Sequence, residues 1–162
     1  MLEDVLDYNL KLVICGTAVS NYSADVKEYY AGNGNKFWPT LYDVNLTSEL
    51  VSSTNYRDLL KHRIGLTDLA KAKSGLDHEL KTGDFDIGEF EAKITKFSPK
   101  IVCFNGKLAA KIYFGLGNTS FINFGIQNRY INDTKIFVAP STSGNAGKYW
   151  DIEYWNDLAK LC

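Results

Sequence analysis

The residues of this 162-residue chain that could do chemistry fall first into patterns that do not close. Gly106-Lys107 hints at a loop that wraps phosphates, but such a loop needs a Gly five residues before that Gly and a Ser or Thr after the Lys, where Ile101 and Leu108 stand. Gly115-Leu116-Gly117 lacks the third Gly of a dinucleotide loop and follows no buried strand directly. In Asp84-x-Asp86-x-Gly88 the Gly falls one place early for a calcium loop, and Thr95 stands where a bidentate Glu belongs, so helix capping accounts for these acids better. His62 and His78 flank no Ser or Cys in a nucleophile elbow and read as surface residues. Cys15, Cys103 and Cys162 form no CxxC pair, and the first two sit in apolar runs where a thiol behaves as a small hydrophobe. Neither a metal nor a cofactor is expected.

Any remaining chemistry must come from groups that a frame brings together, and the frame is legible. Lys11-Leu12-Val13-Ile14-Cys15-Gly16, Lys100-Ile101-Val102-Cys103-Phe104-Asn105-Gly106 and Lys135-Ile136-Phe137-Val138-Ala139-Pro140 share one grammar: a Lys, a continuous apolar run, then a turn residue. Such runs suit parallel strands buried on both faces under helices. Ile87, Phe90, Ile94 and Phe97 recur at helical spacing, opened by a capping box from Asp86 and Glu89 and stopped by Ser98-Pro99. Residues 107–114 predict a short helix, and Ile152, Trp155, Ala159 and Cys162 mark one face of a C-terminal helix. Ile126 to Ile131 pairs with the 135–139 run through Asn132-Asp133-Thr134, which is turn chemistry. The expected fold class is α/β, a three-layer α/β/α arrangement around a central, mostly parallel four- or five-stranded sheet, in a single domain over 1–162. Ligands of open α/β sheets bind beyond the carboxyl ends of the strands, so the loops starting at Gly16, Asn105 and Pro140 are expected to line the site.

Composition narrows the partners. With 45% hydrophobic and 14% aromatic residues against 23% charged, disorder, collagen and coiled coil are excluded. The acidic start over 1–7 is not a secretory flank, and no apolar run approaches the roughly 18 residues of a span, so a soluble intracellular protein with no membrane partner is expected, cytoplasmic and near the nucleoid or in a nucleus. Lys plus Arg number 18 and Asp plus Glu 19, for a net charge of −1, so nucleic acid would be held locally, with a modest salt dependence. Lys61-His62-Arg63 and Lys71-Ala72-Lys73 offer local positive charge, though clusters this short usually mark solvated helix faces.

Four segments then carry a resemblance: Val13-Ile14-Cys15-Gly16-Thr17-Ala18-Val19-Ser20, Asn35-Lys36-Phe37-Trp38, Arg63-Ile64-Gly65-Leu66-Thr67-Asp68-Leu69, and Val138-Ala139-Pro140-Ser141-Thr142-Ser143-Gly144-Asn145-Ala146. In order and spacing they resemble the mismatch-specific uracil-DNA and thymine-DNA glycosylase branch of the uracil-DNA glycosylase superfamily. Phe104-Asn105-Gly106-Lys107 and Phe124-Gly125-Ile126-Gln127 extend the likeness to about residues 10–160. The resemblance implies hydrolysis of an N-glycosidic bond in DNA that contains uracil or another deaminated base, the opening step of base excision repair. The base is swung out of the duplex into a pocket, at an unstacking cost of a few kcal/mol. By the same resemblance, Phe37 stacks on that base and the amides of Gly16, Thr17 and Ala18 meet its carbonyl oxygens.

The sequence also departs from the family. The first motif, Gly-x-Asn-Pro-Gly, places an Asn that positions the attacking water, and here Ala18 stands in its place, followed by Val19 and Ser20. A broader-specificity branch with Ala in its first motif remains active, so the change does not force loss of activity. Asp68 is the best substitute, because a carboxylate can orient water and offset positive charge on the sugar; read without the resemblance it is a helix cap or a solvated acid. Asn35 comes second, and Asn21 is weaker still. Ser141, Ser143, Gly144, Asn145, Ala146 and Lys148 are expected to touch DNA, with Asn145 replacing the apolar wedge of the family's last motif and Tyr149 and Trp150 as possible compensation. The expectation is a monomeric, monofunctional DNA glycosylase in which water, not lysine, is the nucleophile. A catalytically weak or inactive damaged-DNA-binding module of the same fold is the alternative, and an α/β enzyme hydrolysing free nucleosides is a more distant one.

Overall fold

The structure, a computed structural model, describes residues 2–162, with the backbone alone for Asp77; residue 1 of the expected 1–162 domain lies outside the described residues. The chain forms β1 (Leu12–Gly16), α1 (Asn21–Val26), α2 (Phe37–Asp43), β2 (Ile64–Asp68), α3 (Ile87–Phe97), β3 (Ile101–Asn105), α4 (Lys107–Phe114), β4 (Gly125–Ile131), β5 (Thr134–Ala139) and α5 (Ile152–Leu161), with 3-10 turns over Ser53–His62 and Gly144–Tyr149 among the connections. The three apolar runs are β1, β3 and β5, and every side chain of β1 is buried. The sheet runs β2-β1-β3-β5-β4. Its first four strands are parallel and β4 returns antiparallel along β5, as the turn at 132–134 predicts.

Alternation along the strands feeds two helical layers. Leu12 and Ile14 of β1 point into a core with Phe37, Trp38 and Leu41 of α2 and Trp155 and Leu158 of α5. Val13 and Cys15 point the other way, toward Phe90 and Ile94 of α3 and Ala109, Ala110 and Tyr113 of α4. Each fully buried aliphatic side chain contributes roughly 1.5–3 kcal/mol to holding these layers together. The helix starts follow local chemistry: Asp86 Oδ1 accepts from Glu89 N at 2.9 Å, and Asp151 Oδ1 from Glu153 N at 3.0 Å. This is the three-layer α/β/α fold, with helices on both sides of a five-stranded sheet.

Two features were not foreseen. The apolar-run pattern passes over β2, because Gly65, Thr67 and Asp68 interrupt it, yet all five of its residues are buried. Gly65 lets the N-terminal segment lie against the strand, since a Cβ there would come 2.5 Å from the Val5 carbonyl oxygen. Val5 bridges Leu66 antiparallel, covering the sheet's edge and bringing Asp4 to Thr67. His62 is not a surface residue: its side chain is 12% exposed, with Nε2 3.7 Å from Glu49 Oε1, because the turn that ends the 53–62 segment folds it inward. His78 is exposed, as expected. No helix among the described residues is long and apolar enough to cross a membrane.

Candidate active site

Parallel register lines up the strand ends. Gly16 stands level with Asp68, and Asn105 with Ala139, so three loop starts open onto one edge of the sheet. A cavity of about 880 Å³ lies there, large enough for a nucleobase with its sugar. Of the residues singled out from sequence, Gly16, Thr17, Ala18, Asn35, Asp68, Ser141, Ser143, Gly144, Asn145 and Ala146 line it, whereas Phe37 and Lys148 do not. The Gly16 and Thr17 carbonyls accept from the amides of Leu69 and Ala70, at 3.0 and 2.8 Å. That lacing ties the tip of β1 to the tip of β2 and holds the Thr17-Ala18 turn at the cavity.

Asp68 ends β2 with only 4% of its side chain exposed, and its Oδ2 has no hydrogen-bond partner among the described residues. Burial, the largest influence, pushes its carboxyl up to about 6; Lys71 pulls against that and Asp4 adds to it. The Lys71 ammonium is 3.6 Å from Oδ2, beyond hydrogen-bond reach. Gly16 makes the arrangement possible, because a Cβ at that position would lie 2.9 Å from Asp68 Oδ1 and 3.4 Å from the Tyr30 hydroxyl. Asn35 also faces the cavity, but its Oδ1 accepts from Phe37 N at 3.0 Å and so caps α2. Asn21 faces elsewhere, exposed and accepting from Ser74 Oγ at 2.9 Å.

The aromatic surface differs from the expectation. Phe37 is sealed at 0% exposure, and the Tyr30 ring lies against it with centroids 3.9 Å apart. Tyr30 lines the cavity and Phe37 does not, so of these two packed rings Tyr30 is the one that faces it, alongside Phe124 and Tyr149 elsewhere on the lining. Its backbone has φ 52°, a left-handed conformation that a bulky side chain adopts only where its surroundings impose it. The Tyr30 hydroxyl is buried near Asp68 and Asn105, yet it too lacks a hydrogen-bond partner among the described residues. A sequence reading has little to separate two aromatics seven positions apart; the sole signal was Tyr29-Tyr30 preceding a Gly- and Asn-rich loop.

The far wall is built rather than loose. Asn105 Oδ1 accepts from Thr142 N and its Nδ2 donates to Thr142 Oγ1, both at 3.0 Å. Lys36 N donates to Thr142 O at 2.8 Å, joining this loop to the start of α2. The Ser141 and Ser143 hydroxyls accept from Ser143 N and Asn145 N at 3.2 and 3.3 Å, shaping the loop's own backbone. Lys148 is exposed, its Nζ 5.5 Å from the ring centroid of Tyr149, which lines the rim at 64% exposure. The short basic clusters do not face the cavity. Lys61, His62 and Arg63 precede β2 at the opposite end of the sheet, Lys71 is tied to Asp4 at 3.0 Å, and Lys73 sits 3.4 Å from Asp84. Among the described residues no cluster of His, Cys, Asp or Glu could hold a metal ion.

A mostly parallel open sheet with helices on both sides, and a cavity lined by a carboxylate and aromatic rings at the carboxyl ends of its parallel strands, defines an α/β/α protein with a candidate site. Comparison makes the class specific. The pattern of the uracil DNA glycosylase superfamily matches residues 3–159, nearly the whole chain. In fold the chain resembles a solution NMR structure of a Methanosarcina acetivorans protein provisionally described as a uracil DNA glycosylase, with TM-score 0.64 and 21% identity over 99% of this chain and 94% of that one. The chain belongs to the uracil DNA glycosylase superfamily.

Proposed function

We propose that this protein is a monofunctional DNA glycosylase that removes uracil or a related deaminated base from DNA, acts as a monomer, and starts base excision repair. The observation that carries this reading is Asp68: a buried carboxylate at the cavity wall whose Oδ2 has Lys71 at ion-pair distance but accepts no hydrogen bond among the described residues. A water held by Oδ2 attacks C1′ of the flipped nucleotide, the C1′–N bond breaks with its electron pair going to the base, Asp68 receives the water's proton, and solvent protonates the departing base. Near neutral pH the carboxylate is ionised and also offsets the positive charge that develops on the sugar. The Ala18 methyl cannot orient water, and Asp68 takes that part. Tyr30, backed by Phe37, offers the base its platform, while the 141–146 loop and Lys148 meet the DNA backbone and groove.

The test is a panel of oligonucleotides, each carrying one deaminated base, incubated with protein and then treated with alkali. Alkali-dependent cleavage at the modified position is the expected result, with no strand break before alkali. Binding without any abasic product would replace the enzyme by a damaged-DNA-binding module, and release from free nucleosides alone would point to a small-molecule hydrolase.

A further inference from the structure

Behind Asp68 lies a row of alternating charges that runs from the cavity to the surface. Lys71 Nζ is 3.0 Å from Asp4 Oδ1, 3.0 Å from the Tyr29 hydroxyl and 3.6 Å from Asp68 Oδ2. Asp4 is held from three sides: by Lys71, by Lys93 Nζ at 2.7 Å from Oδ2, and by the Thr67 hydroxyl at 2.7 Å from Oδ1. Lys93 in turn meets Glu89 at 3.3 Å, at the exposed end of the row. The side chains of Asp4, Lys71 and Lys93 are 15%, 23% and 22% exposed, so their charges are only partly screened by water.

The distances have a consequence. An ammonium has three protons to give, and here Asp4 and Tyr29 take two of them at 3.0 Å. Distance separates Lys71 from Asp68: the ammonium stops 3.6 Å from Oδ2, so it attracts the carboxylate as an ion pair without a direct hydrogen bond. We propose that Asp4 and Lys71 are positioning residues that act through Asp68: Asp4 holds the Lys71 ammonium back from the carboxylate, so that Asp68 is ionised by a nearby cation yet remains open to water. This deepens the glycosylase reading and rests on it for its catalytic meaning; the charge arrangement itself does not depend on substrate.

The groups facing Asp68 set opposed expectations. Asp4, from the N-terminal segment, repels its charge; Lys71, just beyond β2, attracts it; Tyr29 and Tyr30, which precede α2, and Cys15 on β1 are neutral neighbours; Lys93 and Glu89 of α3 act through Asp4. Burial alone would raise the Asp4 carboxyl, but Lys71, Lys93 and Thr67 hold it below its ordinary value, so at neutral pH it is an ionised anchor.

The experiment follows the Asp68 carboxyl carbon by NMR through a pH titration of the full chain, in wild type, Asp4→Asn and Lys71→Met, with kcat and KM measured on a cleaved oligonucleotide. In Asp4→Asn the lysine closes on Asp68: the titration should move down by about one pH unit, and kcat should fall roughly tenfold with KM held. In Lys71→Met it should move up by a similar amount, and Asp4→Glu should restore the wild-type curve. Unchanged titration in both variants, or movement of both in one direction, overturns the proposal. Lys71→Met carries the test alone if Asp4→Asn fails to fold. Opposed shifts in a protein that cuts no oligonucleotide refute the glycosylase reading and leave the arrangement standing; cleavage with no shifts does the reverse.

Discussion

Two polar side chains end the strands on either side of β1, and the protein treats them in opposite ways. Asn105, at the end of β3, has both ends of its amide bonded to Thr142. Asp68, at the end of β2, is more deeply buried, and its Oδ2 has no hydrogen-bond partner among the described residues, only the Lys71 ammonium at 3.6 Å. A buried polar atom without a hydrogen bond costs about 1–3 kcal/mol, so one side chain is satisfied by its neighbours and the other carries a cost that its ion pair with Lys71 only partly offsets. The first shapes a wall, and the second is the group on which the proposed reactivity rests.

The comparison can be broken by mutation, and the largest effect is expected at Asp68. Asp68→Asn should lower kcat on a uracil oligonucleotide by roughly 10²–10⁴-fold, read by single-turnover base release. It should also stabilise the fold at pH 8. The Asp68 carboxyl titrates near 6 when folded, above its ordinary 3.8, so its contribution to stability is fully present below about pH 4 and lost as pH rises through 6. That loss amounts to about 3 kcal/mol. Thermal melts should therefore show the Asn variant ahead at pH 8 and level with wild type near pH 4.

Next in size is the pH profile of the wild type: kcat should climb about tenfold per unit up to pH 6 and then flatten, as Asp68 must lose its proton to work. A profile flat from pH 4 to 8 would remove Asp68 from the chemistry. Asn105→Ala should cost about 2–3 kcal/mol of stability by denaturant unfolding, through lost bonds and an unpaired Thr142 amide, and weaken DNA binding several-fold while leaving the midpoint near pH 6 untouched. Should that midpoint move, the two strand ends are not independent. The smallest change is expected from Tyr30→Phe, which removes an unpartnered hydroxyl between the two and should stabilise the fold by about 1 kcal/mol.

Most of the frame was legible because β1, β3 and β5 state their burial as unbroken apolar runs and α3 carries its own start and stop. β2 was not: Gly65 is dictated by the Val5 backbone and Thr67 by Asp4, contacts about sixty residues distant in sequence. The site was legible in its loops, since strand ends in a parallel sheet must converge, and ten of the residues singled out line one cavity. The choice of ring was not, because whether Phe37 or Tyr30 faces the cavity depends on a left-handed turn at Tyr30 that composition does not announce. Asp68 was a candidate only through the family resemblance; alone it reads as one acid among 19 Asp and Glu. Lys71 was read as part of a solvated basic face, and its inward ion pairs could not be inferred from a Lys-x-Lys spacing.

The bridge that lays Val5 along β2 carries Asp4 with it. Anything that peels Val5 off the strand would thus leave the cavity walls in place while withdrawing a negative charge from behind them, so on the reading proposed above an edge contact of the sheet sets the acidity of a group it never touches.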